Sequence, residues 1–242
     1  MLGHRGASKY APENTLAAFD LSLKHGCDGF EFDVRYTSDR HTVLCHDPFL
    51  NALEVAETSY SELCRSVPTL ELAELRTSHS ISSVSSAAMV SPARRLITLP
   101  DVIQIYSETA FLDIELKVEG DIAQWLPLLR SSPPSKGYVV SSFVPEVLEA
   151  VHRAEASIPL GLIVGTREGE QLAIWRTLPV STLILNSRLV VPALVHELHA
   201  AGKQVYVWTV NDQQEMLELA AMDVDAIISD DTKLLNATLQ QH

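Results

Sequence analysis

The chain has 242 residues, a length that permits one large domain or two small ones. Its composition, 46% hydrophobic and 20% charged, is that of a globular protein able to bury a large core. A formal net charge of -13 excludes nucleic-acid or anionic-lipid binding through a broad basic surface, while leaving room for a few cations inside a pocket.

In chain order, eight short apolar runs rich in β-branched residues are predicted as strands: Met1–His4, Gly29–Val34, Phe111–Leu116, Tyr138–Ser142, Leu160–Val164, Thr182–Asn186, Gln204–Thr209 and Ala226–Ser229. Helical patterns fall between most of them, at Thr15–His25, Ile122–Leu129, Pro145–Glu155, Pro192–Ala201 and Gln213–Ala221. Asn14 is read as an N-cap, Gly26 and Gly202 as C′ residues, and Pro145 and Pro192 as first-turn prolines. Eight strands alternating with helices in this length fit an α/β fold of the closed TIM-type (β/α)8 barrel kind better than an open sheet. We expect one domain over residues 1–242. It carries a small insertion after the second barrel strand, about residues 48–96, which follows the strand-like run Thr42–Cys45 and ends in a serine-rich stretch from Ser78 to Ser91.

Three cysteines, Cys27, Cys45 and Cys64, form no CxxC pair, and free thiols in a reducing compartment are the simplest reading. The start, MLGHRGASKY, does not read as a signal peptide, and no apolar run approaches the roughly 20 residues of a membrane span. The expectation is a cytoplasmic protein without stable membrane association or nucleic-acid partner; oligomeric state has no signature in the sequence.

Four clusters carry chemistry: His4-Arg5-Gly6, Glu31-Phe32-Asp33, His46-Asp47 and Glu115-Leu116-Lys117. Each lies at or just past the C-terminal end of a predicted strand, the barrel face where active sites are built. Strand residues i and i+2 share a face and lie about 6.6 Å apart, so Glu31 and Asp33 should project together, and Glu115 with Lys117 beside them. Three converging carboxylates repel and raise one another's pKa. A divalent cation relieves that conflict, and all-oxygen ligation suits Mg²⁺, Ca²⁺ or Mn²⁺. Arg5 and Lys117 then bring the site to about +1 in charge, suited to a phosphodiester monoanion. His4 and His46 flank the same mouth and are poised to move protons near neutral pH. His41, His79, His152, His196 and His199 are read as solvated, and Cys45 as wall packing rather than a nucleophile.

The blocks HRGASKYAPENTLAAF, FEFDVRYTSD, HDPFL, DIELK, SSF, VYVWTVND and VDAIISDD, in this order from Gly3 to about Asp231, resemble the glycerophosphodiester phosphodiesterase family. The resemblance implies a TIM barrel that hydrolyses glycerophosphodiesters to glycerol 3-phosphate and an alcohol. It implies His4 and His46 as the acid–base pair and Glu31, Asp33 and Glu115 as metal ligands. Arg5 and Lys117 would be the phosphate-binding cations. Glu13 would support the site by orienting Arg5, and Trp208 is an aromatic of the mouth that packs on glycerol or serves the core. It favours attack by the neighbouring glycerol hydroxyl through a cyclic phosphate, with direct water attack the alternative. The chain departs from the family at Leu50-Asn51-Ala52-Leu53-Glu54, where Leu-x-Arg-Thr-Thr is common, and at Asp223-Val224-Asp225-Ala226-Ile227. The first departure bears on substrate identity. A lysophospholipase D on the same barrel and a non-catalytic phosphate-ligand domain are the competing readings; retention of both histidines and all three carboxylates argues against the latter.

Overall fold

A computed structural model describes residues 1–66, 96–165 and 173–240. The strand β2 (Gly29–Tyr36) shows how the sequence builds the architecture. Phe30, Phe32 and Val34 alternate with Glu31 and Asp33, so one face of the strand is apolar and the other acidic. The apolar face packs outward on helix α1 (Leu16–Lys24), where Phe19 stacks on Phe30 at 4.1 Å between ring centroids. The acidic face is left pointing inward. Strand β6 (Phe111–Leu116) repeats the pattern, with Leu112, Ile114 and Leu116 in the outer core and Asp113 and Glu115 inside.

Between these two strands the chain forms β3 (Thr42–Leu44), the hairpin β4 (Phe49–Leu50) and β5 (Leu53–Glu54), and helices α2 (Tyr60–Ser66) and α3 (Leu99–Tyr106). After β6 come α4 (Leu126–Ser131), β7 (Tyr138–Ser142), α5 (Pro145–Ala154), β8 (Leu160–Val164) and β9 (Thr182–Asn186). They are followed by α6 (Pro192–Ala200), β10 (Gln204–Trp208), α7 (Gln213–Ala221), β11 (Ala226–Ser229) and α8 (Thr232–Leu239). The parallel strands run in the order β1–β11–β10–β9–β8–β7–β6–β2, and β1 (Leu2–Gly3) also pairs with β2, which closes the barrel. The expected (β/α)8 barrel is therefore observed.

Two layers of core follow from closure. One lies between strands and helices and includes Phe19, Phe30, Phe32, Ile103, Trp125, Leu148 and Leu198. The other fills the barrel interior with Leu2, Val139, Ile163, Ile184, Tyr206 and Ile228. Each fully buried side chain of this kind contributes about 1.5–3 kcal/mol. Beyond the barrel rim β2 continues, and β3 pairs antiparallel with that extension in the register Val34↔Leu44 and Tyr36↔Thr42. Among the described residues no helix is long and apolar enough to cross a membrane.

Two local expectations are corrected. The N-cap of α1 is Thr15, whose side chain accepts the Ala18 amide; Asn14 takes a left-handed φ of 57 and turns its amide elsewhere. The helix expected over Ile122–Leu129 is broken at Trp125 into a 3₁₀ turn, Ile122–Gln124, and α4. Trp125 is fully buried and donates Nε1–H to Tyr36 Oη at 2.9 Å, so tertiary packing sets the break. The assignments of Gly26 and Gly202 at positive φ, and of Pro145 and Pro192 in first turns, agree with the structure. Of the insertion read over residues 48–96, the β4–β5 hairpin and α2 are described; the serine-rich stretch and His79 lie outside the described residues.

Candidate active site at the barrel mouth

The HRG turn after β1 opens the site. Arg5 has a φ of 54 and Gly6 a φ of 82. A Cβ on Gly6 would stand 2.6 Å from the Ala18 backbone, so only glycine lets this turn lie against α1. The result directs the Arg5 amide to Glu31 Oε2 at 2.9 Å. Its guanidinium reaches Asp33 Oδ2 through Nε at 3.2 Å and Glu13 Oε2 through Nη1 at 2.8 Å. Glu13 thus holds one end of the Arg5 guanidinium and Asp33 the other.

The register of β2 against β6 pairs Glu31 with Asp113 and Asp33 with Glu115. Oxygens of Glu31, Asp33 and Glu115 come within 4.8 Å of one another, all three residues buried. Lys117 Nζ lies 2.8 Å from Asp33 Oδ1 and is also ion-paired with Glu115 Oε1. Burial, reinforced by Asp33, Glu115 and Asp113, pushes the Glu31 carboxyl well above the usual range. Burial also raises Glu115. Asp33 goes the other way: burial is outweighed by Lys117, the Asn14 hydrogen bond and Arg5, and its carboxyl is held low. Glu31 Oε1 is buried with no hydrogen-bond partner. Buried acids with an unsatisfied oxygen and a converging all-oxygen donor set are what a hard divalent cation requires, so these residues fit one.

The histidines face this cluster from two sides. His4 Nδ1 is fixed by Asp230 Oδ1 at 2.7 Å, and its Nε2 points to Glu31 Oε2 at 4.0 Å. Asp230 is itself held by Ser8 and Asn211. Against the effect of burial, the His4 and Asn211 hydrogen bonds bring its pKa down to about 2. His46 is delivered by β3: the Cys45 amide continues the pairing to Asp33 O, and the Arg35 guanidinium holds the His46 carbonyl at 2.7 and 2.9 Å. His46 Nδ1 meets Asp47 Oδ1 at 2.8 Å, and the ring is 38% exposed. Trp208 donates Nε1–H to Ile184 O and stands edge-on to Phe143 at 5.5 Å, with Lys117 Nζ 5.7 Å from the Phe143 ring. One pocket, open to solvent, is lined by His4, Arg5, Glu31, His46, Glu115, Lys117 and Trp208. All the residues singled out from the sequence are thus at one mouth, with Asp33 and Glu13 just behind its lining.

Four participants escaped the sequence reading. Asn14 donates Nδ2–H to Asp33 Oδ2 at 2.8 Å and accepts the Asp33 amide at 3.1 Å. Asp230 and Arg35 hold the two histidine segments. Asp113 had a signal, because it shares the inward parity of Glu115 and Lys117; burial raises its carboxyl to about 7. Of the histidines read as solvated, His199 is half-buried and meets Asp225 at 2.9 Å, while His41 is exposed and stacks on Tyr60.

Residues 4–234 match the model of the glycerophosphoryl diester phosphodiesterase family. The chain belongs to that family. Membership makes it a phosphoric diester hydrolase. YhdW of Bacillus subtilis, provisionally named a glycerophosphodiester phosphodiesterase, is 31% identical over 95% of this chain and 93% of its own length. The glycerophosphodiester phosphodiesterase of Caldanaerobacter subterraneus is 27% identical over 97% and 95%. Among solved structures, a phosphodiesterase of Oleispira antarctica in complex with the product sn-glycerol-3-phosphate superposes with a TM-score of 0.81 at 24% identity, covering 99% of this chain and 96% of that one.

Proposed function

We propose that the protein is a divalent-cation-dependent hydrolase of small glycerophosphodiesters, releasing glycerol 3-phosphate and an alcohol. The observation that carries this reading is the meeting of three buried carboxylates, within 4.8 Å of one another, beside two histidines that reach the mouth from different elements. Glu31, Asp33 and Glu115 would hold the cation, which when bound supplies charge neutralisation and hydroxyl acidification. Mg²⁺ and Ca²⁺ suit the all-oxygen set, and Mn²⁺ is accommodated by the same ligands.

The chain's own residues do the rest. Arg5 and Lys117 bring two positive charges to the level of Asp33, where a phosphodiester monoanion would sit. His4 and His46 each have Nδ1 engaged by an aspartate, which leaves Nε2 to give or take a proton. One ring removes the proton from the attacking hydroxyl, the substrate's own or that of water. The other returns a proton to the leaving alkoxide oxygen; where the substrate's own hydroxyl attacks, the cyclic phosphate so formed is opened by water with the roles of the two rings reversed, giving glycerol 3-phosphate. Asp230 fixes the tautomer and direction of the His4 ring, and Arg35 fixes the segment that carries His46. Phe143 and Trp208 wall the cavity beside Lys117. The test is release of glycerol 3-phosphate from glycerophosphocholine by purified protein in Mg²⁺, Ca²⁺ or Mn²⁺ and in excess EDTA. Cation-dependent release is expected; equal turnover in EDTA, or none with any of the three ions, would refute the proposal.

A further inference from the structure

The cavity does not end at the three carboxylates. Its walls continue into the barrel, where Ile163, Ile184 and Ile228 face the inner side of β6, and Asp113 lines it at that depth. Asp113 is fully buried. Its Oδ1 accepts the Ser141 hydroxyl at 2.5 Å, whereas Oδ2 has no hydrogen-bond partner. Beneath, Phe111 and Tyr206 meet edge to face at 6.1 Å and belong to the interior core, so the cavity is blind at this end. An unsatisfied carboxyl oxygen among isoleucines is unfavourable, and an apolar residue would fill the place at lower cost. Its position at the closed end of a ligand cavity calls for a donor supplied from outside the chain.

We infer that Asp113, braced by Ser141, accepts a hydrogen bond from the distal hydroxyl of the substrate's glycerol moiety and selects for it. The inference rests on the glycerophosphodiester reading. Asp113 lies two residues before Glu115 on one strand, so its carboxyl sits about 6.6 Å below the level of Asp33 and Glu115. An extended glycerol phosphate, with its far hydroxyl oxygen five bonds from phosphorus, has a comparable reach, so a phosphate beside Arg5 and Lys117 would bring that hydroxyl to Asp113. The three isoleucines then face the carbon chain, and the single acceptor faces its end.

The experiment compares kcat/KM for glycerophosphocholine with that for 2-hydroxypropyl phosphocholine, which keeps the vicinal hydroxyl and lacks the distal one. The unaltered protein in Mg²⁺ should prefer the glycerol diester by about 10- to 100-fold, since a site built to bond a hydroxyl rejects the analogue without it. Asp113→Leu should bring that ratio to within about threefold of unity. Asp113→Asn, which keeps volume and polarity, should lower it at least about threefold and decides the matter if the leucine variant does not fold. The ratio of calorimetric Kd values for sn-glycerol 3-phosphate and 2-hydroxypropyl phosphate should fall in parallel, without turnover. An unchanged ratio in folded variants, or equal loss on both diesters, overturns the Asp113 subsite and leaves the proposed activity standing. Inactivity of the unaltered protein on both diesters overturns the proposed activity and the subsite with it.

Discussion

At the scale of single residues, the site is a problem of charge. Glu31, Asp33 and Glu115 crowd their carboxylates, and among the described residues Arg5 and Lys117 are the permanent cations paired with them. A divalent cation should therefore raise thermal stability as well as activity. At a hundredfold excess over its Kd the gain is about 2.7 kcal/mol. For a chain of this size that is roughly 5–10 °C in Tm. Glu115→Gln should fold yet lose most of this shift, because one ligand charge is gone; a full shift in that variant, read by differential scanning calorimetry with Mn²⁺, would count against the carboxylate site. His4→Ala and His46→Ala make a contrasting pair. Each should lower kcat at least about a hundredfold while keeping the cation-induced shift, since neither removes a carboxylate. Near-normal turnover in either variant would take that ring out of proton transfer.

At the scale of elements, short loops decide where those residues stand. The turn after β1 must place the Arg5 amide on Glu31 and still clear α1, and Gly6 makes this possible. Gly6→Ala would force a Cβ into the Ala18 backbone at a φ of 82. We expect a loss of about 2 kcal/mol or more, from the steric contact and the left-handed backbone together. This corresponds to a fall of roughly 4–8 °C in Tm, with activity lost ahead of the fold because Arg5 and His4 flank the altered turn. A variant matching the unaltered protein in both melting and turnover would show that the turn has slack the structure does not reveal. The antiparallel pairing of β3 on β2 does the same service for His46, which no local pattern would place beside Asp33.

At the scale of the whole molecule, barrel closure depends on residues from the two ends of the chain. Asp231, the N-cap of α8, accepts Lys9 Nζ at 2.6 Å, Tyr10 Oη at 2.5 Å and the Leu234 amide at 3.1 Å. Although burial would raise it, the Lys9 and Tyr10 hydrogen bonds hold this carboxyl below the usual range. A depressed folded-state pKa means that its contribution is complete above the unfolded value of about 3.9 and disappears as pH falls through the folded value. Asp231→Asn should thus melt lower than the unaltered protein at pH 7, because the charge-assisted bonds from Lys9 and Tyr10 are weakened. The gap should narrow below about pH 4; a gap independent of pH would remove the carboxylate charge from the explanation. The net charge of -13 belongs to this scale too. It opposes docking on anionic bilayers, so kcat/KM should favour glycerophosphocholine and glycerophosphoethanolamine over a lysophospholipid. A tenfold preference for the lysophospholipid would reverse that ordering and favour the lipid-directed reading.

Much of this protein was legible before its structure, because the information is local. Strand alternation alone puts Glu31 with Asp33 and Glu115 with Lys117 on the inner face, and strand ends alone put His4 at a barrel mouth. What depended on the tertiary structure is what spans the chain. Asn14 reads as a helix cap until Asp33, 19 residues away, claims both ends of its amide. Asp230 has no visible role until closure brings it 226 residues back to His4. Asp113 shares the parity of its neighbours, but only the converging isoleucines of three other strands turn it from an ordinary strand residue into the unpaired end of a cavity. Periodicity determines which way a side chain faces; packing across the closed barrel determines what it meets there.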